Sequence, residues 1–198
     1  AVIDPVLTLH CPPNITAASG MDCFTQLTEA YLSDKSSLYT DALALEGIKS
    51  IKSSLERSYS TGEDLKARTA MSFAALTSGI CLANAGLGTV HGFASSIGGM
   101  FNIPHGLICG ILMAPANEIN VRVLRKKTEK NIAFNKYVSL GKIFIEKENK
   151  SDNYYIDSFI DYLNKLSQLF KFPALHNLGI QKSDIGIICS MTENKNNP

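Results

Sequence analysis

Apolar positions recur at three- and four-residue steps through most of the chain, and that spacing predicts helices. Over residues 16–32, Met21, Phe24, Leu27, Tyr31 and Leu32 form one face, while Asp22, Gln26 and Glu29 form a polar stripe on another. Over 39–58, Leu43, Leu45, Ile48, Ile51 and Leu55 make a second apolar face, which Gly62 breaks before Asp64 opens the next helix. Upstream, Pro5, Pro12 and Pro13 forbid a continuing helix and predict an extended lead-in over 1–13. Downstream the pattern predicts one helix over 118–144, a charged turn EKENKSDN, and a last helix over 153–170. Strand-like alternation of useful length is lacking, although 180–189 can be misread as a strand. The fold class expected is all-α.

The most informative stretch is 69–117, whose 49 residues contain no Asp, Glu, Lys or Arg. Asn84, Ser95, Ser96, Asn102, Pro104 and eight glycines interrupt it, and its purest apolar piece, 107–116, is about half the roughly 20 residues that a bilayer span needs. Buried core helices are therefore expected rather than a membrane segment. Gly79, Gly86, Gly88 and Gly92 read as sites of close helix approach, and Gly98, Gly99 and Pro104 mark an end, a loop and a restart at Gly106. His91 then lies on one helix and His105 at the mouth of the next.

Composition narrows the function classes. Nineteen Lys and Arg against eighteen Asp and Glu leave a net charge of +1, which removes the electrostatic drive toward nucleic acid. Arg122, Arg125, Lys126, Lys127 and Lys130 accordingly read as a solvated helix face. The five cysteines are odd in number, scattered and free of a C-x-x-C pair, which suggests neither a disulfide framework nor a thiolate zinc cluster and suits a reducing cytoplasm. The opening AVIDPVLTLHCPP has neither the basic region nor the apolar run of a signal peptide, and it does not look like a natural start.

Two histidines in an uncharged segment need an account, because a buried imidazole requires a partner for each ring nitrogen. Either each is a satisfied core histidine, or they converge on a metal with Asp22 as the carboxylate and Gln26 one turn further along the same face. Two His and one carboxylate suit Fe(II) or Zn(II) and leave positions open for water or substrate. The polar stripe of Asp22, Gln26 and Glu29 also reads as a solvent-facing helix surface. The NAGLG segment at 84–88 lacks both G-x-G-x-x-G and a P-loop lysine, so helix packing explains its glycines better than phosphate binding does. There is no G-x-S-x-G, and Cys23 reads as an inert core thiol.

The strings ITAASGMDCFTQLTEAYLS, Ala67–Arg68, and CLANAGLGTVHGFASSIGGMFNIPHGLICGILMAP are similar to the signature regions of the iron-containing (group III) alcohol dehydrogenases. The likeness covers most of the chain and extends to the terminal NNP. It implies the all-helical metal-binding domain of a dehydroquinate synthase-like, iron-dependent enzyme. The family's N-terminal α/β domain, which binds NAD or NADP through a glycine-rich loop, is not in this sequence. By the same resemblance the ligand aspartate falls on Asp22, and two ligand histidines fall on His91 in VHG and His105 in PHG. The family's commoner ligand one turn after the aspartate is histidine, where this chain has Gln26, a weaker neutral donor. A further family histidine one turn after VHG is here Ser95, followed by Ser96 where proline is usual.

The resemblance implies hydride transfer between a small alcohol or aldehyde and NAD(P), with Fe(II) or Zn(II) at Asp22, Gln26, His91 and His105 and Ser95 as a catalytic relay through water or the cofactor ribose. Expected partners are the chain's own N-terminal cofactor domain, a small-molecule substrate and further copies in a homo-oligomer, in the cytoplasm, with no membrane or nucleic acid. Two other readings stand beside it. One is a metal-free family reductase in which Gln26 and Ser95 bond substrate directly; the other is a non-catalytic helical module with structural histidines.

Overall fold

The computed structural model describes residues 2–127, 132–145 and 147–192. Among these residues there are eight α-helices and no strand: α1 (Pro13–Leu32), α2 (Leu38–Ser60), α3 (Leu65–Ala85), α4 (Thr89–Met100), α5 (His105–Leu124), α6 (Ile132–Phe144), α7 (Asp152–Leu169) and α8 (Ile185–Met191). The fold is all-α, and the run at 180–189 is turn and helix. Lys130 and the terminal NNP lie outside the described residues.

Local chemistry sets the helix starts. Pro13 sits in the first turn of α1, where its missing N–H costs nothing, so the helix begins three residues earlier than its apolar face predicts. The lead-in is not fully extended: Pro5–Thr8 forms a 3-10 turn, which Asp4 caps by accepting from Val6 N. Ser37 and Thr40 form a reciprocal capping box on α2, and Asp64 accepts from Ala67 N at the start of α3.

The helix expected over 118–144 is two helices. Buried positions of α5 (Met113, Asn117, Val121, Leu124) and of α6 (Ala133, Tyr137, Leu140) would lie about half a turn apart on one continuous helix. The chain must break to bury both faces. Arg125 at the α5 terminus donates to Asn153 Oδ1 and Asp157 Oδ1, so one residue of the exposed basic face is tied to α7.

Close approach also falls on other glycines than expected. A Cβ at Gly79 would meet nothing, Gly86 instead ends α3 with φ of 72°, and Gly98 and Gly99, expected to mark an end and a loop, lie inside α4. The tight contact that matters for the site is Gly106, where a Cβ would stand 2.5 Å from the Ala18 carbonyl oxygen of α1.

The main core gathers around α1, with Met21, Phe24 and Leu27 packed against residues such as Ile48 and Leu55 of α2, Tyr137 of α6 and Phe159 of α7. A smaller cluster joins Val90, Ala94 and Ile97 of α4, Ile108 and Cys109 of α5, Ile180, and Ile188 of α8. The buried Lys136 links α6 to the α1–α2 junction by donating to the Tyr31 carbonyl, Ser36 Oγ and Asp41. Among the described residues α5 is the one single helix that reaches the length and mean hydropathy of a bilayer span, with α3 and α4 doing so only as a pair bent by 99°, and α5 packs against α1, α4 and α7.

Candidate metal centre

The candidate ligands meet where the two core clusters adjoin. Asp22 comes from α1, His91 from the first turn of α4, and His105 and Cys109 from the first and second turns of α5. Each of the four offers one ligand atom, and these atoms lie within 4.8 Å of one another. His91 Nε2 is 3.1 Å from Asp22 Oδ1, and His105 Nε2 is 3.6 Å from the same oxygen. The Gly106 contact explains part of this convergence, since only a residue without a side chain lets α5 start against the α1 backbone beside Asp22.

His91 is held from behind by Glu29. The Glu29 carboxylate, itself buried, accepts from His91 Nδ1 at 2.7 Å, Gly88 N at 3.0 Å and Val90 N at 2.6 Å. It thus serves as an anionic cap on α4 while orienting the imidazole, with Nδ1 directed at Glu29 and Nε2 turned toward Asp22. The glycine loop at 84–88 does bind an anion, but the anion belongs to the chain itself.

Neighbouring groups shift the ionisation of Asp22, His91 and Cys109. Burial alone would raise the Asp22 pKa, but the His91 hydrogen bond and the charges of both histidines outweigh it and hold it below the usual carboxylate value. Burial likewise opposes protonation of His91, yet bonds to Asp22, Cys109 and Glu29 push its pKa up to about 11. Burial raises the Cys109 thiol, against the lowering effect of His91.

The sequence-predicted residues are placed as follows. Asp22, His91 and His105 converge. Gln26 stands one turn beyond Asp22, and its Oε1 accepts from Ser78 Oγ of α3 at 2.8 Å. Ser95 is exposed on α4, one turn after His91, whereas Ser96 is buried and donates to the Gly92 carbonyl. Cys23 is a buried thiol pushed up to about 12 by burial, in keeping with an inert core residue.

Two contributors escaped sequence reasoning. Glu29 belongs to the polar stripe that also reads as solvent-facing, and the signal for it was the histidines' need for an anion that 69–117 does not contain. Cys109 follows His105 by four residues, the spacing that stacks two side chains on one helix face.

Comparison with known proteins agrees with this architecture. Residues 16–197 match the family described as "Fe-containing alcohol dehydrogenase family, C-terminal". Alcohol dehydrogenase 4 of Saccharomyces cerevisiae is 34% identical over 189 residues, which is 95% of this chain and 46% of that protein. The 1,3-propanediol dehydrogenase of Citrobacter freundii is 38% identical over 121 residues, 61% of this chain and 31% of that protein. Among solved structures, a 1,3-propanediol oxidoreductase superposes with a TM-score of 0.86 at 29% identity, covering 95% of this chain and 47% of that one. The alcohol dehydrogenase of Oenococcus oeni gives 0.85 at 31%, again over 95% of this chain and 47% of that one. The chain spans about half the length of the curated relatives it matches over most of its own length.

Proposed function

The chain belongs to the Fe-containing alcohol dehydrogenase family, as its C-terminal region, and from that premise we propose that the whole protein transfers a hydride between a small alcohol or aldehyde and NAD or NADP at a divalent metal centre carried by this chain. An N-terminal domain, as long as the relatives' unmatched half, would bring the nicotinamide to the face bearing His105 and Ser95. The setting we propose is a homo-oligomer in the cytoplasm.

The observation that carries this reading is the convergence of Asp22, His91 and His105 from three helices, with Glu29 locking the imidazole behind it. A carboxylate and two imidazoles fit Fe(II) or Zn(II). When bound there, the ion supplies Lewis acidity to the alcohol or carbonyl oxygen.

The chain's own residues do the rest. Asp22 contributes negative charge, partly open to solvent, and His91 presents Nε2 in a fixed orientation because Glu29 holds the opposite nitrogen. His105, with its side chain 44% exposed, forms the open edge of the site. Ser95, exposed on α4 one turn after His91, would serve as the relay to water or the cofactor ribose, since a hydroxyl is too weak a base to act alone. The fourth protein donor is contested between Gln26 and Cys109.

The test is turnover and metal content of the whole encoded protein. His91→Ala and His105→Ala should each lose most alcohol oxidation together with bound metal. The chain without a cofactor domain should show no turnover, because it has no pyrophosphate cradle. Full turnover in protein stripped of metal would replace this reading with the metal-free reductase, in which Gln26 and Ser95 bond substrate directly.

A further inference from the structure

We infer that Cys109, rather than Gln26, is the fourth protein ligand, so that the centre is an Asp-His-His-Cys site with a thiolate. The inference rests on the metal centre proposed above and adds to it an identity for the contested donor.

Geometry is the first support. Bonds of roughly 2.0 Å to nitrogen or oxygen and roughly 2.3 Å to sulfur, at tetrahedral angles, require ligand separations of about 3.3 Å between N/O atoms and about 3.6 Å between N and S. The chain shows 3.1 Å and 3.6 Å from Asp22 Oδ1 to His91 Nε2 and His105 Nε2, and 3.8 Å from Cys109 Sγ to His91 Nε2. Three measured edges of the tetrahedron therefore already lie within a few tenths of an ångström of those a zinc-like ion needs.

Position is the second. Cys109 is fully buried on the second turn of α5, in line with His105, so the backbone that places one ligand places the other. The amide oxygen of Gln26 is instead engaged by the Ser78 hydroxyl, which ties it to α3.

Charge is the third. Glu29 is engaged by His91 Nδ1 and the α4 N-terminus, so Asp22 is the one carboxylate facing the ion directly, and a Cys109 thiolate supplies the second anionic donor. On binding, the thiol proton leaves to solvent and its lone pair goes to the metal, with no oxidant or reductant needed. A soft sulfur donor also strengthens the preference for Zn(II) over Fe(II). The side beside His105, partly exposed, stays free for a further donor.

The experiment is titration of Co(II) into the metal-stripped whole protein, read by absorption and by calorimetry. The inference expects a thiolate-to-cobalt charge-transfer band in the near ultraviolet, saturating at one equivalent. Cys109→Ser and Cys109→Ala should lose that band and bind about tenfold or more weakly, while Gln26→Ala keeps the band and its affinity. Circular dichroism of each variant checks that the helices persist, and the wild-type spectrum is decisive even where a variant fails to fold. Stoichiometric binding that depends on His91 and His105 but shows no thiolate band would overturn the cysteine assignment and leave the metal centre standing. Absence of Co(II) uptake by the wild type would overturn both.

Discussion

The two histidines of the centre sit in opposite environments. His91 is 5% exposed and is gripped at both ring nitrogens, by Glu29 and by Asp22, whereas the His105 side chain is 44% exposed and reaches Asp22 only at 3.6 Å. One imidazole is part of the packing between α1 and α4; the other stands on the rim. The difference teaches how a single site divides its labour. Preorganisation is invested on the closed side, and access is kept on the open side, where a cofactor domain and substrate would approach.

The contrast is broken most severely at His91. Its replacement by Ala leaves the Glu29 and Asp22 carboxylates without their shared partner, and loss of one member of a buried charged pair costs about 3–5 kcal/mol. Urea unfolding of the metal-free protein should show a loss of that size, along with loss of metal binding. Glu29→Gln should sharpen the comparison by loosening only the closed side. The amide cannot accept from Gly88 N and Val90 N and also hold His91 Nδ1–H, so metal affinity should fall about 10–100-fold, measured by calorimetry.

Gly106→Ala attacks the place where the two sides are joined. A Cβ 2.5 Å from the Ala18 oxygen forces α5 away from α1, costing about 1–3 kcal/mol and drawing His105 away from Asp22. The pH dependence of the metal-free protein should belong to the closed side. His91, raised from 6.5 to about 11, contributes stability that is complete below pH 6.5 and is lost as pH rises through about 11. Asp22, lowered below 3.8, contributes stability present above that value and lost as pH falls through its depressed pKa. Urea midpoints should therefore decline on both flanks, and added metal should compete with protons so that its affinity rises with pH. The smallest expected effect on stability is at the open side: His105→Ala should change the unfolding free energy read from urea titration by no more than about 0.5 kcal/mol, while still losing metal.

Much of this arrangement was legible in the sequence. The apolar faces of α1 and α2 are spaced as their helices require, and the charge-free run at 69–117 does form helices bearing two histidines, but it is only partly buried: Phe73, Leu76 and Ile80 of α3 and His105 are exposed. The break between α5 and α6 was legible in principle, because their buried faces are out of phase, but a search for continuing periodicity passes over a phase change. Glu29 was harder. A carboxylate seven residues from Asp22 on an amphipathic helix is usually solvated, and only the fold brings the α4 N-terminus and His91 to it. Gly79 and Gly86 do not make the close approaches expected of them for a similar reason: composition marks where glycines occur, but which ones face another backbone depends on helix crossings that no local pattern encodes.

The central claim is that Asp22, His91 and His105 hold a divalent metal whose orientation Glu29 sets. Its most direct test is an anomalous-scattering map from crystals of the whole protein grown with Zn(II). A single strong peak is expected within about 2.0–2.3 Å of Asp22, His91 Nε2, His105 Nε2 and Cys109 Sγ, with the His91 Nδ1–Glu29 bond intact. A peak elsewhere, or full zinc loading with Asp22 Oδ1 still hydrogen-bonded directly to His91 Nε2, would contradict it.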